Sequence, residues 1–323
     1  MFYLFQEYGK QLTAYLEKNN LTYVQDDLMK EFKTNFLFAG KSILIKSNHK
    51  KLSKALSMYF PEFQSKKKAD LTLDYDFREG NFELSAFMLK DRWRSKEKIK
   101  EIKKNVFVFS QKKGKNGMIL SGTLDLNKKK GEFRVMASKN FFWGMFIFSL
   151  AKCLSIYLSD FNANIIHSSA IIDKNKAILF SGKNDSGKTT ILYLCSEKEG
   201  LGEDLNFLFK KGKDFFVQVF PLIKMVTALN KKNSKAVKLK AITFLAKNKK
   251  IKLKKLSKTE AITSLLQNDI QGTFNFQKIK LDKRILLYQE LFSEVPAFNL
   301  FFPLKKNLWK KIEKKLNKAI NLK

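Results

Sequence analysis

The residues from Gly182 to Thr189 carry the clearest chemistry in the sequence. They read Gly-Lys-Asn-Asp-Ser-Gly-Lys-Thr and match the phosphate-binding pattern G-x-x-x-x-G-K-[ST]. In such a loop the glycines permit close approach of the backbone, and successive N–H groups point at one anion. Lys188 brings a charge to the β- and γ-phosphates, and the Thr189 hydroxyl is offered to Mg²⁺. We therefore predict a nucleotide and Mg²⁺ as ligands. The predicted nucleotide-binding residues are Gly182, Lys183, Asn184, Asp185, Ser186, Gly187, Lys188, Thr189 and Thr190.

Two adjacent carboxylates follow this loop. Glu203 and Asp204 lie fourteen and fifteen residues after Thr189. That spacing allows a helix to end at Gly200 and the chain to return to the sheet edge beside the loop. There the two carboxylates would hold Mg²⁺ together with Thr189 and accept a hydroxyl proton. An ordinary solvated turn is the alternative, and the spacing alone does not decide between them.

The elements that must position the loop are a strand before it and a helix after it. The apolar run Lys176–Ser181 predicts a buried strand, and Thr189–Cys195 predicts the opening of a helix. A further strand is predicted over Ile165–Ile172, and it contains His167. Taken alone, a histidine in an apolar strand is more typical of a structural residue than of a catalytic one.

The remainder of the C-terminal half alternates between strand and helix patterns. The last predicted helix is rich in Lys and amphipathic. The predicted strands are Asp214–Phe220, Ala241–Leu245 and Pro296–Phe302, and the predicted helices are Lys258–Leu266, Leu281–Phe292 and Leu308–Leu322.

The N-terminal part, residues 1–138, predicts an α+β domain with an antiparallel sheet. Alternating apolar residues and glycine-containing turns favour short strands there, and no catalytic constellation is evident. The predicted elements are strands around Phe36–Phe38, Ser42–Ile45, Leu71–Tyr75, Phe82–Ala86, Val106–Phe109, Met118–Leu124 and Phe133–Val135, and a helix over Leu52–Phe60. The role of this domain is not indicated by the sequence.

The apolar stretch Phe141–Leu158 separates the two parts. Its length is close to the lower limit for a membrane span, but Lys152 and Gly144 weaken that interpretation. A buried helix leading into the nucleotide-binding domain is favoured. We therefore expect no membrane span and three parts: residues 1–138, a nucleotide-binding domain at 139–305, and a Lys-rich helix at 306–323.

Composition narrows the classes of partner. The 323 residues carry a formal net charge of +33, which favours anionic partners, but the basic residues are nearly all Lys. Proteins that recognise bases and phosphates rely on Arg for bidentate contacts, which argues against nucleic acid as a partner.

The two cysteines, Cys153 and Cys195, form no disulfide framework or metal motif. The first residues lack a signal-peptide pattern, and a cytoplasmic location is expected. Homo-oligomerisation is left open.

The motifs together resemble a known kinase family. The segments His167–Ile171, Gly182–Thr189 and Gly202–Asp204 are similar, in that order, to the catalytic domain of the HPr kinase/phosphorylase family, and Val295–Leu300 is similar to a terminal strand of its divergent relatives. The resemblance covers about residues 140–305. It implies a mixed-sheet P-loop domain of the type shared distantly with phosphoenolpyruvate carboxykinase.

The resemblance also implies roles for individual residues. Asp204 and Glu203 would supply the base and bind metal, and His167 would contact the phosphate or the acceptor hydroxyl. The chain departs from the family at Asn184-Asp185, where Ser-Gly is common, and at Glu203, where Asp is usual. The expected function is therefore an ATP-dependent kinase that phosphorylates a hydroxyl, a Ser of a protein or peptide. A nucleotide-binding accessory protein without phosphotransfer is the alternative, and a basic module binding nucleic acid or membrane is a third.

Overall fold

The chain forms two compact units, residues 1–153 and residues 154–323, in a computed structural model. The structure describes residues 31–49, 56, 63–79, 98–112, 119–137, 142–183, 185–195, 198–202, 204–220, 235–269, 279–303 and 308–321. The predicted helix over Leu52–Phe60, apart from Leu56, and the predicted strand over Phe82–Ala86 lie outside the described residues. Both stay predictions.

The N-terminal unit is built on a mixed sheet with the order β1-β2-β3-β7-β6-β5-β4. Its strands in the described part of the chain are β1 Phe32–Phe38, β2 Lys41–Ser47, β3 Leu71–Glu79, β4 Lys98–Lys103, β5 Val106–Lys112, β6 Ile119–Asp125 and β7 Lys130–Ala137. The expected alternation is present, since Leu71, Leu73 and Tyr75 are all buried.

The prediction of an antiparallel sheet for this unit was wrong. β3 runs parallel both to β2 and to β7, while the other neighbouring strands are antiparallel. A parallel pair needs a crossover connection of roughly a dozen residues or more, and the connection 48–70 between β2 and β3 is long enough. Alternation within each strand predicts which side chains are buried, but it does not predict the direction of the neighbouring strand.

The apolar stretch before the C-terminal unit is helix α1, Phe142–Leu158. From Met145 to Leu158 every residue except Phe148 is buried, which agrees with the predicted buried helix. None of the helices in the described ranges has the length and apolarity needed to cross a bilayer. The compact units divide at Cys153 and Leu154, and the domain limits predicted from the sequence stay predictions.

The C-terminal unit contains a second mixed sheet, and its mixed character was predicted. The strands are β8 Ala163–Asp173, β9 Lys176–Ser181, β10 Glu199–Gly202, β11 Leu205–Lys211, β12 Asp214–Val219, β13 Val237–Lys247, β14 Lys252–Lys255 and β15 Ala297–Phe302. The order is β10-β8-β11-β12-β13-β15-β14, and β9 pairs with both β8 and β13. β13 is parallel to β9 and to β15, and its pairing with β12 is antiparallel.

Helices cover both faces of this sheet. They are α2 Lys188–Leu194, α3 Lys258–Asn268, α4 Leu281–Glu294 and α5 Trp309–Asn321. Along β9, Ala177 and Leu179 belong to the core cluster with α3 and α4, whereas Ile178 and Phe180 belong to the cluster with α2 and α5. Because successive side chains of a strand point to opposite faces, a strand buried on both faces is continuously apolar. This explains the run Lys176–Ser181 that predicted the strand.

Candidate functional site

The predicted phosphate loop connects β9 to α2. Its backbone is compact at the first glycine: a Cβ placed on Gly182 would lie 2.6 Å from Ser186 Oγ and 3.2 Å from the Leu245 carbonyl oxygen. At the end of the loop, Gly187 has a φ of 101°, and Asp185 between them has a φ of 61°. A φ near +100° favours glycine, so both fixed glycines of the pattern have a physical reason here.

Lys188 is buried and folds back onto the loop. Its Nζ donates hydrogen bonds to the carbonyl oxygens of Gly182, at 2.9 Å, and Lys183, at 3.0 Å. Burial lowers the pKa of the Lys188 ammonium, and the carboxylates of Asp204 and Asp185 act against that shift. The cation is therefore held by two backbone carbonyl oxygens and is partly shielded from water.

His167 and Asp204 form a hydrogen-bonded pair. The Nε2 atom of His167 lies 2.8 Å from Asp204 Oδ1. Burial lowers the pKa of His167 although Asp204 favours its protonation, so the imidazole is neutral at pH 7 and donates its N–H. Burial alone raises the pKa of Asp204, but His167 and the charge of Lys188 outweigh it and hold that pKa below its usual value. The pair thus presents one negative charge, on Asp204.

The break between β10 and β11 positions Asp204 next to His167. β10 ends at Gly202, opposite Ala170, and β11 begins at Leu205, opposite His167. Both strands pair with β8, and Asp204 itself stays hydrogen-bonded to β8 through its carbonyl oxygen. Because Asp204 immediately precedes the residue paired with His167, the register itself brings the carboxylate to the imidazole.

The buried side-chain amide of Asn206 links β11 to β8 at this break. Asn206 donates from Nδ2 to the carbonyl oxygen of Ser168 at 2.7 Å and to Ser168 Oγ at 3.1 Å. The backbone N–H of Ser168 in turn donates to the Asp204 carbonyl oxygen at 3.0 Å. A Cβ on Gly202 would meet Asn206 Oδ1 at 2.5 Å, so this glycine leaves room for the amide. Asn206 was not among the predicted site residues, although an Asn inside the apolar run Leu205–Phe209 is a pattern that could have indicated it.

The pair and the loop lie at the same edge of the sheet. Ser168 on β8 is opposite Ser181, the last residue of β9 before the loop. Ser181 Oγ donates to the carbonyl oxygen of His167 at 3.1 Å, and Ser169 Oγ donates to that of Lys188 at 3.3 Å. These two serines, which the sequence analysis did not single out, connect β8 to both ends of the loop.

The remaining predicted site residues are placed as follows. Thr189 and Thr190 are in the first turn of α2, and Thr189 is exposed. The helix ends at Leu194 rather than at Gly200 as predicted, since β10 already begins at Glu199 and pairs with β8. Asn184 and Glu203 lie outside the described residues.

The residues available to a metal ion are few but of a suitable kind. Among the described residues, no group of three or more His, Cys, Asp or Glu side chains is arranged to hold a metal. Mg²⁺ does not need such a cage, because it is commonly bound by one or two carboxylates with substrate phosphates and waters. The carboxylate of Asp204 and the exposed hydroxyl of Thr189 are oxygen donors of this kind.

Comparisons with known proteins place this unit within one family. The family described as "SynChlorMet cassette protein ScmC" matches residues 132–317, more than half of the chain, and the match includes the loop and the His167–Asp204 pair. The family matched is therefore not HPr kinase itself. A solved structure, that of the Hpr(Ser) kinase/phosphatase from Coxiella burnetii, is similar with a TM-score of 0.29 and 10% sequence identity over 48% of this chain and 95% of that chain. No curated protein matches the sequence.

Proposed function

The chain belongs to the family of SynChlorMet cassette protein ScmC, and we propose that its C-terminal unit is an ATP-dependent kinase. The reaction is transfer of a phosphoryl group to a hydroxyl, that of a Ser in a protein or peptide. One observation carries this proposal: the His167–Asp204 pair and the buried Lys188 of the phosphate loop are joined through β8, by hydrogen bonds from Ser181 to His167 and from Ser169 to Lys188.

The loop supports nucleotide binding. Lys188 Nζ is held by two loop carbonyl oxygens, which are neutral acceptors. A phosphate oxygen is charged, and hydrogen bonds between charged partners are roughly twice as strong as neutral ones. We therefore expect Lys188 to leave the carbonyls for the β- and γ-phosphates, while Gly182 and Gly187 keep the backbone close enough for its N–H groups to bind the same anion.

The His167–Asp204 pair supports activation of the acceptor. In the proposed step, the acceptor hydroxyl oxygen forms a bond to the γ-phosphorus, the bond from that phosphorus to the β,γ-bridging oxygen breaks, and the hydroxyl proton passes to Asp204. The neutral imidazole of His167 fixes the carboxylate through Oδ1 and leaves the other oxygen for the proton. ADP carries away the electron pair of the broken bond.

Mg²⁺ would be held by Thr189, Asp204 and Glu203, and when bound it neutralises charge that develops between the β- and γ-phosphates. Two of these residues also have roles that need no metal: Thr189 lies in the first turn of α2, and Asp204 is hydrogen-bonded to His167. Glu203 is proposed to share the base and metal-binding roles with Asp204.

A second function is supported by one residue. The carboxylate of Asp185 lies in the loop, near enough to Lys188 to act against the lowering of the Lys188 pKa by burial. A negative charge beside the phosphates weakens the electrostatic stabilisation that transfer needs. A nucleotide-binding accessory protein without phosphotransfer is therefore the alternative function.

Both functions are tested by incubating the protein with Mg²⁺, γ-labelled ATP and Ser-containing peptides. We expect the label on a Ser, and we expect Lys188→Ala to abolish it. Lys176→Ala is the matched control, since Lys176 is exposed at the other end of the same strand. Transfer that survives Lys188→Ala contradicts the kinase proposal at this loop, and tight ATP binding without transfer to any acceptor supports the accessory function.

A further inference from the structure

The connection between β13 and β14 is a cluster of exposed lysines, here named the lysine tip and defined as Lys247, Asn248, Lys249 and Lys250. All four residues are exposed, and Lys252, the first residue of β14, is exposed as well. Within the described part of the chain, none of these lysines has a carboxylate within ion-pair distance. The backbone is ordered by hydrogen bonds: the Asn248 N–H donates to the carbonyl oxygen of Phe302 at 3.0 Å.

The lysine tip lies at the same edge of the sheet as the phosphate loop. β13 runs parallel to β9, with Phe244 opposite Ser181 at the point where the loop begins. The carbonyl oxygen of Leu245 is 3.2 Å from the position of a Cβ on Gly182. Lys247 follows two residues later, which is roughly 7 Å along a strand. Because β9 and β13 run parallel, the residues that follow the two strands leave the sheet at the same end.

The lysines in the first half of β13 differ from those of the lysine tip in having carboxylate partners. Lys238 is 2.7 Å from Asp214, and Lys240 is 3.0 Å from Asp173. At the tip the cations are neighbours of one another and lack such carboxylates. Like charges at short range repel, and the repulsion is relieved when an anion binds between them.

We infer that the lysine tip docks an acidic segment of the phospho-acceptor and so directs the proposed kinase toward Ser residues that lie near Asp or Glu. This inference rests on the proposed function. The tip lies beside the loop rather than within it, so its lysines meet the acceptor and not the phosphates that Lys188 binds. Nucleic acid is less well matched, because residues 246–255 contain no Arg and no aromatic side chain for base contacts or stacking.

The experiment measures peptide binding by fluorescence anisotropy on the full chain. The probes are a labelled Ser-containing peptide rich in Glu, its counterpart with Gln at each Glu, and a labelled single-stranded oligonucleotide. The test variant carries Lys247→Glu, Lys249→Glu and Lys250→Glu. The control variant carries Lys176→Glu, Lys211→Glu and Lys213→Glu, an equal change of charge on exposed residues at the start of β9 and at the β11–β12 turn.

We expect the Glu peptide to bind the unmodified chain about tenfold more tightly than the Gln peptide at low salt, with the difference shrinking as salt is added. The test variant loses this difference and the control variant keeps it. Equal losses in both variants overturn the inference, because net charge alone would then explain binding. Tighter binding of the oligonucleotide than of the Glu peptide, lost in the test variant, also overturns it in favour of nucleic acid.

ATP binding, measured separately, distinguishes failure of the inference from failure of the proposed function. The test variant keeps its ATP affinity, because the lysine tip is outside the loop. Absence of ATP binding in the unmodified chain contradicts the kinase proposal whatever the peptides show. ATP binding and Ser transfer without preference for the Glu peptide leave the kinase proposal in place and contradict the docking surface.

Discussion

Two buried ionic clusters in the C-terminal unit differ in how fully their charges are engaged. In the first, Asp269 Oδ2 accepts hydrogen bonds from Arg284 at 2.6 Å, Tyr288 at 2.9 Å and Asn164 at 3.2 Å. The Asp269 and Arg284 side chains are 0% and 1% exposed. This cluster joins β8, the end of α3 and the body of α4, and we call it the structural cluster.

The second cluster contains Lys188, His167 and Asp204. Among the described residues, the Lys188 cation bonds to backbone carbonyls alone, and the Asp204 side chain is 14% exposed. Burial lowers the pKa of Lys188, and no carboxylate in the described part of the chain forms a direct salt bridge with it. A buried cation that lacks a carboxylate or phosphate partner is therefore a better indication of a ligand site than a buried cation that is paired with a carboxylate.

The largest expected effect is a loss of stability when the structural cluster loses its cation. Arg284→Ala leaves the Asp269 carboxylate buried without its cation, and removal of one partner of a buried pair costs about 3–5 kcal/mol. The free energy of unfolding, from urea denaturation, should fall by that amount. Lys254→Ala, which removes an exposed pair with Glu260, should change it by about 1 kcal/mol or less. Similar losses in the two variants would show that the structural cluster is not the stronger support.

Lys188→Ala, in contrast to Arg284→Ala, should weaken ATP binding without lowering the free energy of unfolding. Because a hydrogen bond to a charged group contributes about 1.5–3 kcal/mol, ATP affinity should fall roughly 10- to 100-fold. The free energy of unfolding should stay the same or rise, since a desolvated cation is removed from the interior. Calorimetric titration with ATP and urea denaturation of the same sample measure both quantities. A large loss of stability with little loss of ATP affinity would assign Lys188 to the structure instead of the site.

The smallest effect concerns pH. The pKa of His167 is lowered on folding, so as pH falls below about 6.5 the unfolded chain takes up a proton before the folded one. Stability is therefore fully present above that pH and declines as pH falls toward the lowered pKa, at about 1.4 kcal/mol per pH unit at most. His167→Gln should reduce the slope of unfolding free energy against pH in this window. An unchanged slope would mean that His167 is not buried as a neutral group.

The parts of the site that could be predicted from the sequence are those formed by residues contiguous in the chain. The loop and the strand before it were predictable because the pattern and the apolar run are contiguous. β10 was not predicted because Gly200 and Gly202 do not favour a strand, and β11 was not predicted because the polar Asn206 interrupts its short apolar run. The structural cluster could not be predicted, because Asn164, Asp269 and Arg284 meet only through tertiary packing. The parallel pairs of the N-terminal sheet escaped prediction for the same physical reason.

The most direct test of the central claim is to replace Asp204 by Asn and measure ATP binding and phosphoryl transfer on the same preparation. Asn keeps the size of the side chain and accepts the His167 hydrogen bond through its oxygen, but it cannot take a proton from the acceptor. The account predicts that Asp204→Asn binds ATP within a few-fold of the unmodified chain while transfer to a Ser peptide falls about 100-fold or more. Undiminished transfer by Asp204→Asn would contradict the proposal that this carboxylate activates the acceptor.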